Sequence, residues 1–277
     1  MLDVGERLTS IRPRTVSFDL DGVLIRGPFG TGLRPRIWAH LAGSPSMAHL
    51  AQEDADRCVE SAIRAAHDRR LAARQFVAAW DWDSIYAEVA AEFGTQPISD
   101  LRGWVHEECE RPDTIALLPG AREALERLRA AGFGLVAITN GYAMFQVPAL
   151  EALGVAELFE AIVTPEAAGF AKPDPRIFRS VPGLVAHVGD MLLHDVLGAN
   201  LAGVEAVWVQ PDLPERFAHL PPRQRPCTPD FRAYLAQQLE SSPYRPYHPE
   251  GTLERCTPSA VVRDVAEASS VLLEPRQ

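Results

Sequence analysis

Four short segments of this chain carry residue types that could act together on an anion. Phe18-Asp19-Leu20-Asp21-Gly22-Val23 closes an apolar run. Side chains two apart on an extended segment point the same way, so the carboxylates of Asp19 and Asp21 are expected to converge. Two carboxylates that close are both ionised only if a cation lies between them. Oxygen ligands suit a hard divalent ion, and beside phosphate that ion is usually magnesium. Ile138-Thr139-Asn140-Gly141 follows a second apolar run and opens a helix. A hydroxyl, an amide and helix-start N–H groups form a phosphate cradle. Lys172 stands in Ala171-Lys172-Pro173-Asp174-Pro175, where prolines restrict the backbone around an ammonium able to balance anionic charge. Gly189-Asp190-Met191-Leu192-Leu193-His194-Asp195 follows Leu184–Val188. There Asp190 offers a third carboxylate to the cation, and Asp195 either caps the next helix or pairs with Lys172.

Each segment alone has a plainer reading: a polar turn, a helix cap, a surface lysine. Their common location decides between the two. Apolar runs rich in Val and Ile, Arg14–Leu20, Gly134–Ile138, Phe159–Val163, Leu184–Val188 and Val204–Val209, alternate with helical patterns at Ala121–Ala130, Phe145–Leu153 and Leu192–Leu201. Such alternation, with Gly and Pro at the boundaries, predicts a doubly wound, Rossmann-like α/β core with a parallel sheet. All four segments then fall at or near the carboxyl ends of strands, where such sheets gather their ligands.

Residues 28–113 interrupt the alternation with an almost wholly helical pattern, too long for an ordinary loop, and predict an inserted α-helical cap domain. The core is then residues 1–27 and 114–277. Trp80, Trp82 and Trp104 are expected in the cap's own packing rather than as a platform for a base. Arg26 and Arg36 read as exposed arginines, and His194 as a bystander to catalysis. Pro211–Pro249 carries nine of the 23 prolines around one helical pattern, Asp230–Glu240. Residues 211–255 therefore read as a surface excursion that borders the mouth of the site or a contact between copies.

FDLDGV, ITNG, the lysine of KPDP, and GDMLLHD resemble, in that order, the four motifs of the haloacid dehalogenase-like hydrolases. The similarity runs through LPGAREALERLRAAGFGLVAITNG and GVAELFEAIVTPEAAGFAKPDPRIF, and the terminal AVVRDVAEASSVL is similar to the family's last strand and helix. The resemblance implies Asp19 as nucleophile, forming an aspartyl-phosphate, and Asp21 as general acid and then base. It implies Thr139 and Lys172 as phosphoryl ligands, with Asn140 in the same phosphate-binding group, positioning them or the substrate. Mg²⁺ would be held by Asp19, the backbone carbonyl of Asp21, and Asp190, with Asp195 orienting Lys172 or a metal-bound water. Dehalogenases and phosphonatases of the family lack an acid at the position of Asp21, so its presence points to phosphoester hydrolysis. A phosphosugar mutase and a non-catalytic binding protein on the same fold are the alternatives.

Bulk properties set the bounds. The 277 residues are 47% hydrophobic and 23% charged, the balance of a globular protein able to bury a core without staples. A net charge of -10 argues against a nucleic-acid or anionic-membrane partner and leaves a small phosphorylated metabolite as the expected one. Cys58, Cys109, Cys227 and Cys256 form no CxxC pair, which favours reduced thiols over zinc or a disulfide framework. MLDVGERLTSIRPR has no apolar core of a signal peptide, and a cytoplasmic location is expected. A homodimer is compatible with all of this.

Overall fold

The computed structural model describes residues 12–275. The expectation on the opening segment lies, for residues 1–11, outside the described residues. Among the described residues eight strands occur: β1 Thr15–Phe18, β2 Ile25–Arg26, β3 Ala116–Leu117, β4 Gly134–Ile138, β5 Ala161–Val163, β6 Leu184–Gly189, β7 Glu205–Val209 and β8 Ala260–Val262. Six of them form one sheet in the order β5-β4-β1-β6-β7-β8, and each neighbouring pair is parallel. β1 and β4 are buried along their whole length, which explains why they read as unbroken apolar runs rather than alternating ones.

The order of the strands carries the functional consequence. From β1 the chain builds outward on one side through β4 and β5, then returns to place β6 on the other side of β1. The direction of winding therefore reverses between β1 and β6. In open α/β sheets, ligands bind beyond the carboxyl ends of the strands at such a reversal. Registers align those ends: Phe18 lies opposite Ala137 of β4 and Val188 of β6.

The chain forms two compact units, and β2 and β3 are the strands by which it leaves the first and returns. The first comprises residues 1–26, 117–140 and 154–277 and contains the six-stranded sheet. The second comprises residues 27–116 and 141–153, with helices Arg34–Ala42, Gln52–Ala72, Trp82–Phe93, Leu101–Cys109 and Ala143–Ala152. Helix Ala143–Ala152 is tied there by the Phe145 ring, 5.1 Å from that of Phe29, and by Tyr142, whose hydroxyl donates to the Val77 carbonyl at 3.1 Å. Inside this unit the buried His67 stacks on Trp82 at 5.3 Å, with Trp80 edge-on at 5.4 Å. Trp104 instead lies under the Arg36 guanidinium at 4.1 Å, and Arg36 also pairs with Glu107.

Residues 211–255 correct the expectation of a surface excursion. Phe217, Phe231, Leu235 and Leu239 are buried and join Val261 of β8 and Trp208 of β7 in one apolar cluster. Arg225 is 1% exposed. Its guanidinium donates to the carbonyls of Phe217, Leu220, Ala218 and Val261 and to the Glu267 carboxylate. Prolines end regular structure without preventing burial, and a fully satisfied arginine here does what a strand ladder would do elsewhere.

Candidate active site

All the residues singled out from the four segments lie in the first unit. β1 ends at Phe18, and the Asp19 N–H continues the ladder by donating to Val188 of β6 at 2.8 Å. The chain then turns sharply. The N–H groups of Val23, Leu24 and Ile25 all donate to the Leu20 carbonyl, with Gly22 at φ +81°. Asp21 opens this turn, bridges Ile25 in parallel and is exposed. A side chain on Gly22 would begin 2.5 Å from Oδ2 of Asp190, so the Asp190 carboxylate lies directly against this turn.

Among the described residues, one cluster of carboxylates is close enough to hold an ion: Asp19, Asp190 and Asp195, with one oxygen from each within 4.8 Å of the others. The three are not equivalent. Asp195 is 1% exposed and already engaged at both oxygens. Oδ1 accepts from Lys172 Nζ at 2.6 Å and lies 3.0 Å from His187 Nε2, while Oδ2 accepts from the Met191 N–H at 2.8 Å. A single wide helical turn, Leu192–Val196, folds Asp195 back onto Met191 and gives it this place. Gly189 leaves the room, since a Cβ there would sit 2.2 Å from the Asp195 carboxyl carbon.

Lys172 is 2% exposed and bridges Asp195 to Asp19, whose Oδ1 is 2.9 Å from Nζ. Burial alone would lower the lysine's pKa, but the two carboxylates outweigh it and hold the ammonium charged. The same balance runs the other way for Asp195: burial raises its pKa, and Lys172 with His187 pulls it below the usual carboxylate range. Asn140 fixes the lysine's backbone. Thr139 is buried beside it, its N–H donating to Val163 of β5 at 3.1 Å.

Asp19 and Asp190 behave differently. Burial pushes Asp19 up to about 7, against the pull of Lys172. Burial and the neighbouring Asp19 push Asp190 up to about 8. Two half-buried carboxylates held together above their normal range, with the nearest lysine shared with a third, are what a divalent cation would relieve. The residues present thus fit a hard cation at Asp19 and Asp190, with Asp195 committed to its own donors.

Three participants escape the sequence reading. Ser17 Oγ lies 2.8 Å from Nδ1 of His187, whose Nε2 reaches Asp195, and all three are buried. Their signal in the sequence is a lone polar residue inside each of two apolar strands, RTVSFDL and LVAHV. Trp208 of β7 also contributes, its indole N–H donating to the Asp190 carbonyl at 2.8 Å.

Comparisons with known proteins bear on this geometry. The chain is 37% identical over 136 residues to a phosphoserine phosphatase of Thermus thermophilus, covering 44% of this chain and 52% of that protein. It is 34% identical over 128 residues to a glyceraldehyde 3-phosphate phosphatase of Methanopyrus kandleri, covering 44% and 54%. The chain thus spans about half the length of the curated relatives it matches. In architecture it is similar to a haloacid dehalogenase-type (HAD) phosphatase of Thermococcus onnurineus, with a TM-score of 0.64, 19% identity, and 95% and 100% of the two chains covered. It is also similar to a 2-haloacid dehalogenase of Pseudomonas syringae, with a TM-score of 0.56, 22% identity, and 94% and 97% covered. These likenesses concern the fold, which hosts more than one chemistry. The model of the haloacid dehalogenase-like hydrolases matches residues 13–203, the stretch that holds β1, β6 and every carboxylate of the cluster, and the chain belongs to that family.

Proposed function

We propose that this protein is a magnesium-dependent phosphomonoester hydrolase acting on a small phosphorylated metabolite through an aspartyl-phosphate. The observation that carries the reading is the placement of Asp19: at the end of β1, 2.9 Å from the Lys172 ammonium, with Asp21 two residues on in an exposed turn. That second acid is what a phosphate ester needs, because its leaving oxygen departs as an alkoxide unless protonated. The phosphatases among the relatives support the same class.

In this reading the Asp19 carboxylate attacks phosphorus. Its Oδ1 is held by the Leu20 N–H at 2.8 Å and by Lys172, which leaves Oδ2 turned to the task. As the P–O bond to the leaving group breaks, the Asp21 carboxyl gives that oxygen its proton. Water then attacks the phosphorus of the aspartyl-phosphate, Asp21 takes up the water's proton, and phosphate leaves with Asp19 restored. Thr139 and Lys172 bind the phosphoryl oxygens, and Asn140 serves by positioning Lys172. Mg²⁺ held by Asp19, Asp190 and the Asp21 carbonyl would neutralise charge on the transferring group. Residues 28–113 act as a cap that selects the leaving group. Among the described residues no helix is long and apolar enough to cross a membrane, and the four free thiols accord with a cytoplasmic setting.

The test is hydrolysis of p-nitrophenyl phosphate, followed by a panel of phosphorylated metabolites, with and without Mg²⁺. Activity should require the metal and vanish in Asp19→Asn. An Asp19→Asn protein that still turns over would remove the assigned nucleophile.

A further inference from the structure

The Lys172–Asp195 pair does not stand alone behind the nucleophile. Asp195 Oδ1 is shared by two groups, Lys172 Nζ at 2.6 Å and His187 Nε2 at 3.0 Å. An ionised carboxylate only accepts hydrogen bonds, so Nε2 must carry a proton there. The imidazole is 1% exposed, and burial drives its pKa below the usual histidine value, despite the pull of Asp195. A neutral ring protonated at Nε2 has a bare Nδ1, which can only accept. The group facing Nδ1 is Ser17 Oγ at 2.8 Å, and its hydroxyl donates there in preference to the Ala186 carbonyl, which lies farther off at 3.5 Å. Ser17 and His187 are register partners across β1 and β6, so the backbone itself brings them together.

We infer that Ser17 and His187 are positioning residues of the proposed phosphotransfer: Ser17 anchors the bare nitrogen of His187, and the ring holds Asp195 so that Lys172 is aimed at Asp19. The polarity runs one way, Ser17 O–H to Nδ1, then Nε2–H to Asp195, which in turn orients the ammonium. Deleting the ring would leave one buried carboxylate oxygen to Lys172 alone and draw the ammonium off Asp19. This inference rests on Asp19 as the nucleophile for its kinetic arm and stands apart from it in its spectroscopic arm.

The kinetic arm uses the full chain with Mg²⁺ and p-nitrophenyl phosphate. His187→Ala should lower kcat by about tenfold or more with KM held within about twofold, the split expected when an interaction made in the transition state is lost. His187→Gln, which keeps an N–H for Asp195, should recover a good part of that loss. Ser17→Ala should lower kcat by a few-fold, and Ser17→Ala combined with His187→Ala should be no worse than His187→Ala alone. Losses that multiply in the double variant, or an unchanged kcat in His187→Ala, overturn the inference. The spectroscopic arm records ¹⁵N spectra of histidine-labelled wild type and Ser17→Ala. Wild type should show one neutral histidine locked as the Nε2–H tautomer through neutral pH, and Ser17→Ala should keep that tautomer while shifting the Nδ1 resonance as its hydrogen bond is lost. A protonated imidazolium or an Nδ1–H form at this residue overturns the inference even if no His187 variant folds. A wild type that hydrolyses no phosphoester sinks the functional reading, and the spectra still decide the relay.

Discussion

Asn140 grips Lys172 by both ends of its peptide frame: Nδ2 donates to the Lys172 carbonyl at 3.1 Å, and Oδ1 accepts from the Lys172 N–H at 2.7 Å. The second residue after β4 thereby sets the height at which the ammonium enters the cluster. Asn140→Ala strands two buried backbone groups, each costing about 1–3 kcal/mol when unpaired. Urea denaturation should show a loss of about 2–4 kcal/mol for the pair. At temperatures where the variant stays folded, kcat should fall more than KM rises, because the lysine loses its aim.

The raised carboxyls give a pH dependence of definite sign. Asp19 and Asp190, at about 7 and about 8 without a cation, hold protons that the unfolded chain would release near the ordinary value of 3.8. The folded metal-free protein thus binds more protons than the unfolded one between these limits. Their contribution to stability is whole below about pH 4 and is lost as pH rises through 7 to 8. Asp195 has the opposite sign, since its depressed pKa stabilises the fold above the ordinary carboxyl range and is lost only in acid. A cation must displace the protons on Asp19 and Asp190, so Mg²⁺ should bind more tightly as pH rises. Thermal unfolding with Mg²⁺ or chelator should show a larger metal-induced rise in Tm at about pH 8.5 than at about pH 6. A rise independent of pH would count against these two ligands.

Gly22 is required twice over, by its φ of +81° and by the 2.5 Å left between a Cβ and Asp190. Gly22→Ala should cost about 1–3 kcal/mol in backbone strain and push Asp190 aside. Isothermal titration should show weakened Mg²⁺ binding beyond what the loss of stability explains.

Arg225 tests the proline-rich segment. Removing a buried cation while its carboxylate partner stays costs about 3–5 kcal/mol. Arg225→Met should show that loss in denaturant, with Glu267 left unpaired. The folded fraction should keep its kcat, since none of the groups that meet Arg225 belongs to the cluster around Asp19.

Much of this architecture was legible in the residues. Buried parallel strands leave apolar runs, and Gly134–Ile138 reads as a strand with the ends the structure gives it. Asp19 and Asp190 announced themselves because a charge at the end of an apolar strand has little structural excuse, and Lys172 and Asp195 stood out only in company with them. Other features were hidden for physical reasons. Ser17 and His187 are single polar letters in apolar words, and their pairing exists only once β1 and β6 lie side by side. Residues 211–255 read as surface because proline punctuates so strongly, although Phe217, Phe231 and Leu235 stood there as candidates for burial.

The neighbourhood of β1 and β6 has a bearing on how the protein is made. Ser17 and His187 are 170 positions apart, yet adjacent in the sheet. A nascent polypeptide that has emerged only as far as β5 owns Asp19 but neither Asp190 nor Asp195, and it leaves one side of β1 open. The cluster around Asp19 therefore assembles late and all at once, when the sixth strand docks. Until that moment the ribosome carries an inert fragment whose exposed edge is a natural client for a chaperone.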